Sequence, residues 1–117
     1  MNNTPSLNGL VAVVTGAAGT MGRAVVEALL AQGCRVAMVD VDANALQAQQ
    51  AQQTESSDRL LTVPCDIRDA ADVARAHEAV QRALGPVAVL VNNAGVLSNH
   101  KVEATTHAEW RQVLAVN

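Results

Sequence analysis

Short apolar runs alternate along the chain with longer stretches of helical character. Leu10 to Thr15 (LVAVVT), Arg35 to Asp40 (RVAMVD), Arg59 to Val63 (RLLTV) and Val87 to Val91 (VAVLV) are the short runs. Their apolar residues follow one another instead of alternating with polar ones, which suits strands buried on both faces, as in a parallel sheet. Met21 to Gln32 is rich in Ala, Leu and Val and reads as a helix, with Gly33 as its C-terminal stop. Ala43 to Gln53 is built of Ala and Gln, both good helix formers, and reads as a solvated helix. Thr54 to Asp58 is polar and reads as a loop. Asp69 is placed to cap a further helix that runs to about Leu84 and ends at Gly85-Pro86. Thr106 and Glu109 have the spacing of a capping box for a last helix, which is still running at Asn117.

The order β-α-β-α-β-α-β-loop-α predicts an α/β fold with a parallel sheet and right-handed crossovers. No internal repeat and no linker interrupts it, so residues 1–117 are read as one domain. Half of the residues are hydrophobic, enough for a packed core. No apolar stretch approaches the ~18 residues of a membrane span. The start, Met1-Asn2-Asn3-Thr4-Pro5, lacks the basic and apolar segments of a secretion signal, and a cytoplasmic location is expected. The formal net charge of -3 argues against nucleic acid as the main partner, because phosphate binding wants a basic face.

Particular residue types are scarce. There is no Phe, no Tyr, one Trp (Trp110) and one Lys (Lys101). A reaction that needs a phenol as proton donor cannot be completed by these residues alone, and stacking of bases on aromatic platforms is nearly excluded. Cys34 and Cys65 fall at opposite ends of neighbouring predicted strands, too far apart for a disulfide; both read as small buried residues in a reducing compartment. His77, His100 and His107 have no spacing that suggests a metal site, and no metal is expected.

The densest chemical signal is the turn after the first strand, Thr15-Gly16-Ala17-Ala18-Gly19-Thr20-Met21-Gly22. Glycines permit a tight turn and close approach of the backbone, and the free N–H groups of a helix start then face an anion, here a diphosphate. Tight strand-helix turns need glycine in any case, so the motif alone is not decisive. Asp40 adds to it. It ends the second strand 18 positions after Gly22, close to the ~20 expected for the acid that accepts from an adenosine ribose. The same charge repels a 2′-phosphate, and Val41 follows with no Arg or Lys beside it, so NAD is preferred to NADP. The alternative for Asp40 is that, with Asp42, it only caps the second helix.

Two further turns make the pattern specific: Cys65-Asp66-Ile67-Arg68-Asp69 after the third strand and Asn92-Asn93-Ala94-Gly95 after the fourth. With the glycine turn and Asp40, they resemble the short-chain dehydrogenase/reductase family in order and spacing, from about Leu7 to Asn117. The resemblance implies a Rossmann-like, doubly wound parallel sheet of strand order 3-2-1-4, cut off after the fourth strand and its helix. It implies that Gly16, Gly19, Thr20, Met21 and Gly22 form the diphosphate turn. Asp66 and the Ile67 backbone would contact adenine, and Asn93 and Gly95 would border the adenosine and the approach to the nicotinamide ribose. Asn92 would hold the sheet together. The compact branch of the family has TGxxxGxG, with Gly where this chain has Thr20; the spacing also fits TGxxGxxG of the extended branch, and the Asn-Asn-Ala-Gly turn favours the compact one.

The family's chemistry resembles proton-coupled hydride transfer between an alcohol and a ketone. A Tyr moves the proton, a Lys four residues later lowers its pKa, a Ser orients the carbonyl, and an Asn holds a relay water. Only the Asn has a counterpart here, Asn117. The expectation is therefore the NAD-binding N-terminal part of an oxidoreductase acting on a small alcohol or ketone, inactive alone. Dimers or tetramers are implied for a full-length form. The alternatives are a dinucleotide-binding module without catalysis and a nonfunctional truncated product.

Overall fold

The computed structural model describes residues 6–94. Gly95, Asn117, Lys101, Trp110, His100, His107 and the Thr106–Glu109 capping box lie outside the described residues. Strands β1 (Val11–Thr15), β2 (Arg35–Asp40), β3 (Leu60–Pro64) and β4 (Val87–Val91) alternate with helices α1 (Thr20–Ala31), α2 (Ala43–Gln52) and α3 (Ala70–Ala83). The sheet is parallel, in the order β3-β2-β1-β4, which is the predicted one.

The continuous apolar runs have their explanation in two cores, one on each side of this sheet. Val14, Val36 and Met38 join Val26 and Leu30 of α1 and Leu46 of α2 on one side. Val11, Ala37, Val39 and Val63 join Ala76 and Val80 of α3 on the other. β2, in the middle, therefore buries Val36, Ala37, Met38 and Val39 in succession. Burying a Val or Met side chain stabilises by roughly 1.5–3 kcal/mol, so this strand anchors both layers.

β4 is apolar throughout and only partly covered, as suits the last strand of a sheet cut off after the fourth. It pairs with β1 alone among the described residues, and Leu90 is 59% exposed. An edge strand with one neighbour has less to cover it, whatever its composition.

The helix ends follow local chemistry. Asp42 accepts from Ala45 N at 3.0 Å at the start of α2, and Asp69 accepts from Ala71 N and Asp72 N at 3.0 and 3.3 Å at the start of α3. Gly33, with φ of 87°, closes α1 by donating its N–H to Leu30 O.

The predicted loop at Thr54–Asp58 is instead a 3-10 turn, Thr54–Arg59. It carries Arg59 to the C-terminus of α1, where one guanidinium nitrogen donates to Leu30 O at 3.1 Å and Cys34 O at 2.9 Å. A cation on the last carbonyls of a helix satisfies them and complements its dipole. Cys34 and Cys65 are free and buried, as expected.

Candidate functional site

All four strands point the same way, so their C-terminal ends share one rim, and hydrogen bonds stitch that rim together. Cys65 N donates to Asp40 O at 3.0 Å, linking the ends of β3 and β2, and Ala17 N donates to Val39 O at 3.2 Å, linking β2 to the turn after β1. The Thr15 hydroxyl accepts from Asn93 N at 3.1 Å and Ala94 N at 3.0 Å. The Asn93 side chain donates to Gly16 O at 3.2 Å. The glycine turn and the Asn-Asn-Ala turn thus form one unit.

The three glycines of the turn do different work. Gly16 has a φ of 64°, and a Cβ there would lie 2.8 Å from Ala94 Cα. Gly22 is buried, and its Cβ would lie 2.8 Å from Ala17 Cα and 2.9 Å from the Asn93 amide nitrogen. Both are required by packing of the turn against its neighbours. Gly19 is different: it is exposed, and among the described residues a Cβ would meet only Gly16 O at 3.6 Å. Space on its outer side is what a ligand approaching the backbone would use.

α1 starts at Thr20 with Gly19 as its N-cap. α2 and α3 have Asp caps; among the described residues α1 has no capping side chain, and its first turn carries no acid. The N–H groups of Thr20, Met21 and Gly22 have no intrahelical acceptor, by their position in the first turn. Thr20 and Met21 are exposed there. These residues fit an anionic group at the turn: a cradle at Gly19, uncapped amides and the positive end of a helix dipole.

Asp40 ends β2 half-buried, turned toward the glycine turn. Its Oδ2 accepts from Ala18 N at 3.1 Å and its Oδ1 from Asp42 N at 3.0 Å. The capping role weighed for the pair thus falls to Asp42 alone. Each oxygen of Asp40 retains a lone pair for a further donor.

Asp66 lies beyond β3, its carboxylate gripped by Arg68: the Arg68 backbone N and Nε reach Oδ1 and Nη2 reaches Oδ2, each at 3.0 Å. The Arg68 hydrogen bonds hold the Asp66 carboxyl below its usual range. Ile67 packs against the α3-side core. Asn92 lines an apolar cavity of about 440 Å³ on that side, with Val13, Val39, Val80 and Leu90. His77 is exposed on α3. Among the described residues no cluster of three or more His, Cys, Asp or Glu is placed to hold a metal, and no helix is long and apolar enough to cross a membrane.

Sequence reasoning gave no role to Thr15, Asp72 or Arg75. Thr15 lay inside a quoted motif, but its partners are residues of a distant turn. Asp72 stands three residues after the cap Asp69, the spacing of a capping box, yet its carboxylate passes the cap and accepts from Asp66 N at 2.7 Å.

A family model described as short chain dehydrogenase matches residues 10–117. The chain is 38% identical over 111 residues to a D-threitol dehydrogenase of Mycolicibacterium smegmatis, covering 95% of this chain and 43% of that protein. It is 33% identical over 114 residues to an NADP-dependent (R)-specific alcohol dehydrogenase of Lentilactobacillus kefiri, covering 97% and 45%. A solved short-chain dehydrogenase/reductase of Burkholderia phymatum in complex with NAD superposes with a TM-score of 0.90 at 30% identity, covering 97% of this chain and 40% of that one. The chain therefore spans less than half the length of these relatives.

Proposed function

The chain belongs to the short-chain dehydrogenase family, and from that premise we propose that it is the NAD(H)-holding part of an oxidoreductase that interconverts a small alcohol and a ketone. The observation that carries the reading is the Asp40 carboxylate, 3.1 Å from Ala18 N inside the glycine turn. A ribose lying over β2 would meet that anion while its diphosphate lies against the amides of Thr20, Met21 and Gly22. Gly19 leaves room for the phosphates; Gly16 and Gly22 keep the turn seated on Asn93 and Ala94.

Asp40 accepts from the ribose hydroxyls, and its charge disfavours a 2′-phosphate, so NAD is chosen over NADP. A hydrogen bond to a charged group contributes roughly 1.5–3 kcal/mol. Asp66 and the Ile67 backbone meet the adenine edge. Asn93 and Gly95 border the adenosine side of the path to the nicotinamide ribose, and Asn117 holds a relay water. When bound, the cofactor's nicotinamide ring gives or takes the hydride. The 117 residues include no Tyr, and we read them as insufficient for turnover by themselves. That composition also supports a second reading, a module that holds a dinucleotide without turning it over.

Calorimetric titration of the purified chain tests the shared part of both readings. Saturable binding of NADH, weaker binding of NADPH and no alcohol oxidation are expected. A folded sample that shows no saturable heat with NADH overturns the proposal; turnover by pure material overturns the claim of insufficiency.

A further inference from the structure

We propose that Asp72, together with Arg75, is a positioning residue that sets the Asp66–Ile67 edge against the adenine ring. The inference rests on the dinucleotide reading above and adds to it the element that fixes the adenine end.

α3 already has its cap in Asp69, which accepts from Ala71 N and Asp72 N. The Asp72 carboxylate is therefore free for other work. Its Oδ2 accepts from Asp66 N at 2.7 Å, and its Oδ1 accepts from Arg75 Nε at 2.8 Å. Arg75 Nη2 in turn donates to Pro64 O at 2.7 Å. The chain leaving β3 is thus held at both ends of the Pro64–Cys65–Asp66 step, by one anion and one cation from the same helix face.

The Asp66 side chain contributes no such anchor. Among the described residues its carboxylate bonds only to Arg68, two residues along the same turn. Where that carboxylate stands depends on the backbone that Asp72 grips. The adenine edge presents a 6-amino donor, which a carboxylate can accept. Misplacement by about 1 Å is enough to lose such a contact. Arg75 and Asp72 are an i,i+3 pair with side chains 57% and 26% exposed. Such surface pairs contribute little to stability. A purely structural role therefore predicts small effects on folding and none on ligand choice, whereas positioning predicts a selective loss.

The test is calorimetric titration of the wild-type chain, Asp72→Ala and Asp72→Asn with NADH and with reduced nicotinamide hypoxanthine dinucleotide, which lacks the 6-amino group. Asp72→Ala is expected to weaken NADH about tenfold and the hypoxanthine analogue less than about twofold. Asp72→Asn keeps an oxygen that accepts from Asp66 N and is expected to recover most of the NADH affinity. If Asp72→Ala does not fold, Arg75→Met, which releases Pro64 O, is expected to give the same selective loss at smaller size. Equal losses for both dinucleotides, or no loss, overturn the inference while leaving the dinucleotide reading intact. A wild-type chain that binds neither dinucleotide overturns both.

Discussion

Asn93, just past the end of β4, donates its side-chain amide to the Gly16 carbonyl at 3.2 Å, closing the turn after β1 with a residue 77 positions away. Beside that bond the Thr15 hydroxyl accepts from the backbone of Asn93 and Ala94. The two turns depend on each other, and neither is a local structure.

Thr15 is the point at which that dependence can be measured. The residue is buried and its hydroxyl is the acceptor for Ala94 N. Thr15→Val keeps the shape and removes the acceptor, leaving a donor unsatisfied at a cost of about 1–3 kcal/mol. Urea denaturation is expected to show that loss, with Thr15→Ser close to wild type. A Val variant as stable as wild type shows that the hydroxyl does not hold the turns.

The glycines separate packing from ligand approach. A Cβ at Gly22 would sit 2.8 Å from Ala17 Cα and 2.9 Å from the Asn93 amide nitrogen, so Gly22→Ala must push the turn away from β4. Such overpacking costs about 1–3 kcal/mol. Gly19→Ala meets nothing closer than 3.6 Å among the described residues and lies at a φ of -79°, which alanine adopts freely. It is expected to change stability by less than about 0.5 kcal/mol. On the proposed function it still lowers NADH affinity, because its methyl enters the space the phosphates use. Melting curves and NADH titrations of the two variants check both halves; loss of stability at Gly19 equal to that at Gly22 sinks the distinction.

This division also marks what the sequence could and could not convey. The parallel sheet and its strand order were legible, because continuous apolar runs such as Val36 to Val39 have little choice but a doubly covered strand. Asp69 and Gly33 were legible as helix ends because their chemistry is local. The 3-10 turn at Thr54–Arg59 was not. Its polar residues have no periodicity, and its arginine finds its carbonyls on α1 only after folding. The partial cover of β4 goes with its place at the end of the strand order; VAVLV by itself states how apolar the strand is, not how many neighbours it has. In the candidate site, Gly16 to Gly22 and Asp40 could be picked out by motif and spacing. The grip of Asp72 on Asp66 was hidden behind an ordinary capping-box spacing.

Acid should weaken the rim at its β3 end. The Asp72 carboxyl is held below its usual value of 3.8 by the Asp66 backbone N–H and then by Arg75. Asp66 is held below the same value by Arg68. A carboxyl lowered in the folded state favours folding fully above its unfolded value, and that contribution is lost as pH falls through the folded one. Wild-type stability is therefore expected to decline below about pH 4, with part of the decline removed in Asp72→Asn. Urea midpoints from about pH 5 down to about pH 3 measure it. Identical slopes for the two proteins show that Asp72 does not contribute.

Asp40 carries the choice of cofactor on the proposed function, and its two roles can be pulled apart. It steadies the glycine turn through Ala18 N, and it presents a negative charge where a ribose would lie. Asp40→Asn keeps an oxygen for Ala18 N and removes the charge. Stability should then stay near wild type while the preference for NADH over NADPH shrinks. Asp40→Arg removes the acceptor as well and puts a cation beside the 2′ position. NADH affinity is expected to fall about 10- to 100-fold, the range for losing one charged hydrogen bond, and NADPH to become the better ligand. Titration of both nucleotides against the three proteins decides the matter. If the NADH-to-NADPH ratio is the same in all of them, the carboxylate serves the turn alone, and the nucleotide preference must come from residues other than Asp40.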